Sequence, residues 1–147
     1  MTDFVKDEKC IFCNIQDSST EIFYEDEEYL AFKDIRPATS HHYLIIPKNH
    51  IRNISNLSPS DVTLVKKLVE VGEIVLKNNS ASVSDARFGF HVPPFTSIQH
   101  LHLHAISPVN EMGFISRMIF RPDSYWFMTA STLIEKLNKS CVSEDKS

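Results

Sequence analysis

The chain has 147 residues, 42% of them hydrophobic and 23% charged, with a formal net charge of −4. That is the size and balance of one globular domain, and the acidic balance argues against tracking a nucleic-acid backbone, which needs a basic patch or stripe. No apolar run reaches the length of a membrane span, no signal-peptide core opens the chain, and three cysteines are too few for a disulfide framework. The expectation is a cytosolic or nuclear protein whose partners include no nucleic-acid polymer and no membrane.

Residues 1–8 are charged and expected to form a flexible N-terminus. Ile22–Tyr24 and Tyr29–Phe32 read as strands of a hairpin, joined by the acidic turn Glu25-Asp26-Glu27-Glu28. His42-Tyr43-Leu44-Ile45-Ile46 is a third strand, closed by Pro47. Ser58 then stands as a helix N-cap, with Pro59 in the first turn and Asp61 at the positive end of the dipole. Val62, Val65, Leu68, Val69, Val75 and Leu76 recur at helical spacing up to a stop at Lys77-Asn78-Asn79. Arg87–Val92 is a fourth strand, halted by Pro93-Pro94, and the run from His100 to Ile106 is a fifth. A short helix near Thr132–Leu137 and a polar tail at 140–147 complete the chain. Several short strands around one long helix give an α+β fold with a five-stranded antiparallel sheet and a short C-terminal helix.

The run His100-Leu101-His102-Leu103-His104-Ala105-Ile106 carries the strongest functional signal. Strand alternation puts three imidazoles on one face and sends Leu101, Leu103 and Ala105 to a core on the other. A nucleophilic imidazole needs one free nitrogen and one held as a donor, and a backbone carbonyl can do the holding. His102, flanked on both sides, is the best nucleophile candidate, with His100 and His104 placed to meet developing negative charge.

Three further sets stand beside the row. Ser97, at the end of the Pro93-Pro94-Phe95-Thr96 loop, could reach a phosphate oxygen or leaving atom, or simply face water. Asp34, before Ile35-Arg36-Pro37, suits ribose hydroxyls but equally suits a turn. Cys10-Ile11-Phe12-Cys13 has the spacing of two thiolates on one Zn²⁺, yet a second such pair is missing. Completing a site would take His50 and His100. The expectation is unligated thiols, with Cys10, Cys13, His50 and His100 the set that a structural zinc would use.

Taken together, these residues resemble the histidine triad superfamily, whose signature is His-φ-His-φ-His-φ-φ, and within it the Hint branch. The likeness also takes in Cys10–Cys13, Ala31–Pro37 and Leu44–Ile51, so that it spans about residues 9–108. It implies a histidine-triad fold over 9–108, followed by an extension at 109–139 that packs on the domain or on a dimer partner. It further implies a purine nucleoside 5′-phosphoramidate hydrolase that releases AMP and needs no cofactor. Its partners would be AMP, nucleoside phosphoramidates and aminoacyl-adenylates, and it would pair as a homodimer through joined sheets and helices. The resemblance makes His102 the nucleophile, His100 and His104 its flanking histidines, His50 a fourth histidine near the site and Ser97 a hydroxyl near the phosphorus. It makes Asp34 the ribose carboxylate and Ile35 a neighbour of the base. His104 itself favours a hydrolase, since related transferases carry Gln there. His91 and the Pro-Pro loop depart from the Asn and Gly-rich loop of many Hint proteins, and place His91 at the phosphate. Competing readings are a dinucleoside polyphosphate hydrolase, a nucleotide-binding adaptor with little turnover, and a zinc-stabilised interaction module.

Overall fold

The computed structural model describes the backbone of residues 5–145 and the side chains of residues 5–140. Its strands are β1 (Ile22–Glu25), β2 (Tyr29–Lys33), β3 (His41–Pro47), β4 (Arg87–His91), β5 (Leu103–Ser107) and β6 (Phe127–Thr129). Its α-helices are α1 (Val62–Asn78), α2 (Phe114–Ile119) and α3 (Ala130–Asp145). The six strands form one antiparallel sheet in the order β1-β2-β3-β5-β4-β6. The α+β expectation therefore stands, with six strands in place of five. The added strand, β6, spans three residues, too few for an alternation pattern to show.

Alternation along the strands makes two cores. Tyr29, Ala31, Tyr43, Ile45, Leu103 and Ala105 face α1, whose Val65, Leu68, Val71, Val75 and Leu76 are buried against them. A Cβ on Gly72 would lie 3.1 Å from the ring of Phe88 and 3.4 Å from Ala105, so glycine lets the helix sit this close to the sheet. On the opposite face Phe12, Leu30, Phe32, Leu44 and Ile46 form one cluster, and Ile106, Met112, Phe120 and Phe127 form another. The histidines lie between them.

Two terminal expectations change. Val5 donates its N–H to Asn49 Oδ1 at 2.8 Å and accepts from the His50 N–H at 2.7 Å, so the described part of the N-terminus is tied down; residues 1–4 lie outside the described residues. The C-terminal helix is not short: it runs from Ala130 to Asp145, through part of the expected tail. Ala130, Leu133 and Leu137 extend the core around α1, while β6 pairs with β4. The outer edge of β4 is thus covered by the chain's own C-terminal segment, which leaves β1 and β6 as the outer strands of the sheet. None of the described helices is long and apolar enough to cross a membrane.

Candidate active site

The histidine row does not stay in one line. β5 begins at Leu103, where it pairs with Ile45 of β3, and His100 to His102 precede it. β3 ends at Pro47, which has no N–H to offer a ladder, and its carbonyl instead accepts the His100 Nε2–H at 2.9 Å. Leu101 gives its N–H to Ile51 at 2.6 Å. His100, with no exposed surface, turns away from its two companions. The expectation that it flanks a phosphate is therefore corrected. His50, expected as a fourth histidine near the site, is not on the wall that His102 and His104 share; it faces His100, with the two Nδ1 atoms 3.2 Å apart.

His102 and His104 stay together, their ring centroids 5.1 Å apart. His102 donates Nδ1–H to the His100 carbonyl at 2.7 Å, which leaves its Nε2 as the lone-pair nitrogen. With Ser97, Asp34 and Ile35, both histidines line a cavity of about 430 Å³ walled by Ile11, Phe12, Ile15, Phe32 and Leu44. Apolar walls with a few convergent polar groups are what a nucleobase and its phosphate require. Ile35 is 91% exposed at the rim, an apolar residue left without a protein partner.

A histidine that the sequence reading passed over completes the arrangement. His42 is fully buried on β3, and its Nδ1 accepts the Ala38 N–H at 3.0 Å. Its Nε2 must therefore carry the proton and donate it to His104 Nδ1, 2.9 Å away. That fixes His104 in turn: the proton sits on Nε2, a buried atom with no hydrogen-bond partner. A buried donor left unmade costs about 1–3 kcal/mol, so this N–H awaits an acceptor. Asp34 Oδ2 lies 3.4 Å from His42 Nε2 and 3.9 Å from His104 Nδ1, while its Oδ1 accepts the Arg36 N–H.

Alternation could have revealed His42, which shares a face with Leu44 and Ile46. Nothing in the sequence pointed to Phe120. Its ring lies edge-on to His42 and His104, with centroids 5.2 Å from each, and tilted against His91 at 5.3 Å. His91, expected at the phosphate, packs edge-on against His104 at 5.0 Å and donates Nε2–H to the Ile119 carbonyl, which places it behind His104 and off the cavity wall. Burial holds all these rings neutral. It pushes His42 down to about 4, lowers His91 and His102, and puts His104 well below the usual histidine range.

His50 and His100 belong to a separate cluster. Cys10 Sγ lies 3.4 Å from His100 Nδ1, and Cys13 Sγ lies 3.2 Å from His50 Nδ1 and 3.5 Å from His100 Nδ1. Zinc bonds of about 2.0–2.3 Å set tetrahedral donor separations of about 3.3–3.8 Å, so the four atoms nearly outline a zinc shell. The chemistry agrees. The Pro47 carbonyl commits His100 Nε2–H and leaves Nδ1 as a lone pair, as an outer partner does for a metal ligand. The N–H groups of Asp7 and Cys13 donate to the sulfurs of Cys13 and Cys10, which suits thiolates, whereas burial, with Cys10 and the Asp7 charge beside it, raises the Cys13 thiol in the absence of a metal. The four residues that the sequence offers for a structural zinc are thus brought together in an arrangement that fits one. Asp34, His42 and His104 also converge, but His42 Nε2 and His104 Nδ1 are committed to a hydrogen bond with each other at 2.9 Å.

A family model described as "Scavenger mRNA decapping enzyme C-term binding" matches residues 9–119. An adenosine 5′-monophosphoramidase HINT3 of Xenopus tropicalis is 49% identical over 138 residues, covering 91% of this chain and 90% of the relative. One of Mus musculus is 47% identical, covering 90% of this chain and 84% of the relative. Among solved structures, a HIT family hydrolase from Clostridium thermocellum superposes with a TM-score of 0.63 at 30% identity, over 69% of this chain and 91% of that one. The chain belongs to the histidine triad (HIT) family of hydrolases.

Proposed function

We propose that the chain hydrolyses the P–N bond of adenosine 5′-phosphoramidates, aminoacyl-adenylates being related substrates, and releases AMP. One observation carries this reading. A nucleophilic Nε2 on His102 and an unpartnered Nε2–H on His104 meet at the wall of an apolar, nucleobase-sized cavity. The frog and mouse relatives named adenosine 5′-monophosphoramidase support it.

His102 Nε2 attacks the α-phosphorus while the base lies among Ile11, Phe12, Phe32 and Ile35 and the ribose hydroxyls meet Asp34. The His104 Nε2–H donates to a phosphoryl oxygen as charge develops. The leaving nitrogen needs a proton, because an amide anion departs poorly. Ser97, exposed at the cavity mouth, gives its hydroxyl proton to that nitrogen and takes one from solvent. The P–N bond breaks as the Nε2–P bond forms. Water then attacks the phosphorus, loses a proton to solvent, and releases AMP and His102. The test is AMP release from adenosine 5′-phosphoramidate: turnover by the wild type and a loss of at least ~10³-fold in His102→Ala are expected.

Lys33 and Arg36 on the same cavity wall favour a second reading, a dinucleoside polyphosphate hydrolase, since each could meet an extra phosphate. Diadenosine triphosphate assayed beside the phosphoramidate decides between them.

We further propose that Cys10, Cys13, His50 and His100 hold a structural zinc, which takes no part in the reaction. Its role is to fix the N-terminal segment to the 47–51 turn and the start of the histidine row. Metal analysis of protein purified without added zinc tests this; about one zinc per chain is expected. A reducing cytosolic or nuclear setting fits the two free cysteines among the described residues. Homodimer formation is also part of this proposal.

A further inference from the structure

The turn from Cys10 to Cys13 belongs to two sites at once. Its ends are the two sulfurs of the four-donor cluster. Its middle residues, Ile11 and Phe12, form part of the wall of the nucleotide cavity. Phe12 is buried, and its ring stands edge-on to His102 with centroids 5.2 Å apart and planes at 89°, while also packing on Phe32 at 5.1 Å. Ile11 is 65% exposed, an apolar side chain at the cavity with little protein around it.

A second link runs through His100. Its ring faces both sulfurs, and its carbonyl accepts the Nδ1–H that makes His102 Nε2 a nucleophile. Ring and carbonyl belong to one residue outside the sheet ladder, held between the Pro47 carbonyl and the Leu101 N–H bond to Ile51. The cluster and the cavity thus share a turn on one side and a residue on the other.

We infer that metal held by Cys10, Cys13, His50 and His100 and nucleotide held in the cavity are thermodynamically coupled, with Phe12 as the positioning residue that joins them. This rests on both the zinc and the nucleotide readings above. Metal ligation sets the turn, and the turn presents Ile11 and Phe12 to the base and holds the His102 ring. Anything that strips the metal, whether a chelator or oxidation of the two thiols by a peroxide-class oxidant, then lowers nucleotide affinity without unfolding the sheet. Coupling is reciprocal: nucleotide must tighten metal retention by the factor by which metal tightens nucleotide.

The experiment is a zinc competition titration of the full chain against a chromophoric chelator, with and without saturating adenosine. Adenosine fills the base cavity yet has no phosphate to bind zinc in solution. Calorimetric titration of adenosine into zinc-loaded and metal-free protein gives the reverse arm. A shift of about 5-fold or more is expected, equal within error in the two directions. In Phe12→Leu, which keeps apolar volume but loses the ring, zinc should still bind while the shift shrinks. A Phe12→Leu chain that fails to fold leaves the two wild-type arms to decide. Zinc affinity that is the same with and without bound adenosine overturns the coupling and leaves both parent readings intact. Protein that takes up no zinc overturns the coupling together with the zinc reading. Protein that binds zinc but neither adenosine nor AMP overturns it together with the nucleotide reading.

Discussion

His42 Nε2 donates to His104 Nδ1 across 2.9 Å, and the Ala38 N–H on the far side of His42 allows no other direction for that bond. A backbone amide four residues away thereby decides which nitrogen of His104 carries the proton that the proposed reaction offers to the phosphate. His42→Ala removes the constraint and lets His104 adopt the other tautomer, with a bare nitrogen facing the phosphoryl oxygen. Steady-state kinetics on adenosine 5′-phosphoramidate should show kcat lowered about 10²-fold with little change in KM, the signature of a donor used mainly in the transition state.

The pH dependence follows from burial. His102 must be neutral to attack, and burial lowers its pKa, so the acid limb of kcat/KM should lie below pH 6.5. Stability shares the direction. His42 titrates at about 4 when folded and near 6.5 when unfolded, so between those values the unfolded chain binds more protons. Stability is full above the unfolded value and is lost as pH falls from about 6.5 toward 4. Urea denaturation at steps across that window should show it, and His42→Leu should flatten this part of the loss.

Ser97→Ala removes the hydroxyl that, in the proposed reaction, carries a proton to the leaving nitrogen. Phosphoramidates need that proton, whereas a polyphosphate leaves as a stabilised anion. The rate on adenosine 5′-phosphoramidate should fall about 10-fold or more, and the rate on diadenosine triphosphate less, in parallel assays. Equal losses on the two substrates would remove Ser97 from the proton path.

The sixth strand has its own test. A Cβ on Gly89 would come within 2.5 Å of the Phe127 ring and 2.7 Å of the Met128 carbonyl, where β4 pairs with β6. Gly89→Ala should cost about 1–3 kcal/mol, read from the denaturation midpoint, because β6 must shift to admit a methyl group. The neighbouring Phe120 cage around His42, His91 and His104 should loosen with it.

How much of this was legible in the sequence depends on which interaction places each residue. Leu101, Leu103 and Ala105 could be sent to the core from alternation alone, and α1 from its spacing and its Ser58-Pro59 start, because these positions answer to local periodicity. The path of His100 was not legible. It depends on β3 ending at Pro47, a pairing partner more than fifty residues away, and on Ile51 capturing the Leu101 N–H. The family resemblance puts His50 near the catalytic row, whereas its backbone N–H to Val5 and its ring toward Cys13 set it in the four-donor cluster that the CxxC spacing also offered. Phe120 lies in an irregular stretch with no pattern to read. His42 was within reach: on a strand, a histidine in phase with Leu44 and Ile46 is a buried one.

The covalent step is the centre of the account, and rapid-quench mass spectrometry of the protein during turnover of adenosine 5′-phosphoramidate tests it most directly. One adenylyl group per chain is expected on the peptide that contains His102, with formation and decay rates that account for AMP release, and none in His102→Ala. Full turnover with no adduct, or an adduct on His100 or His104, would contradict it.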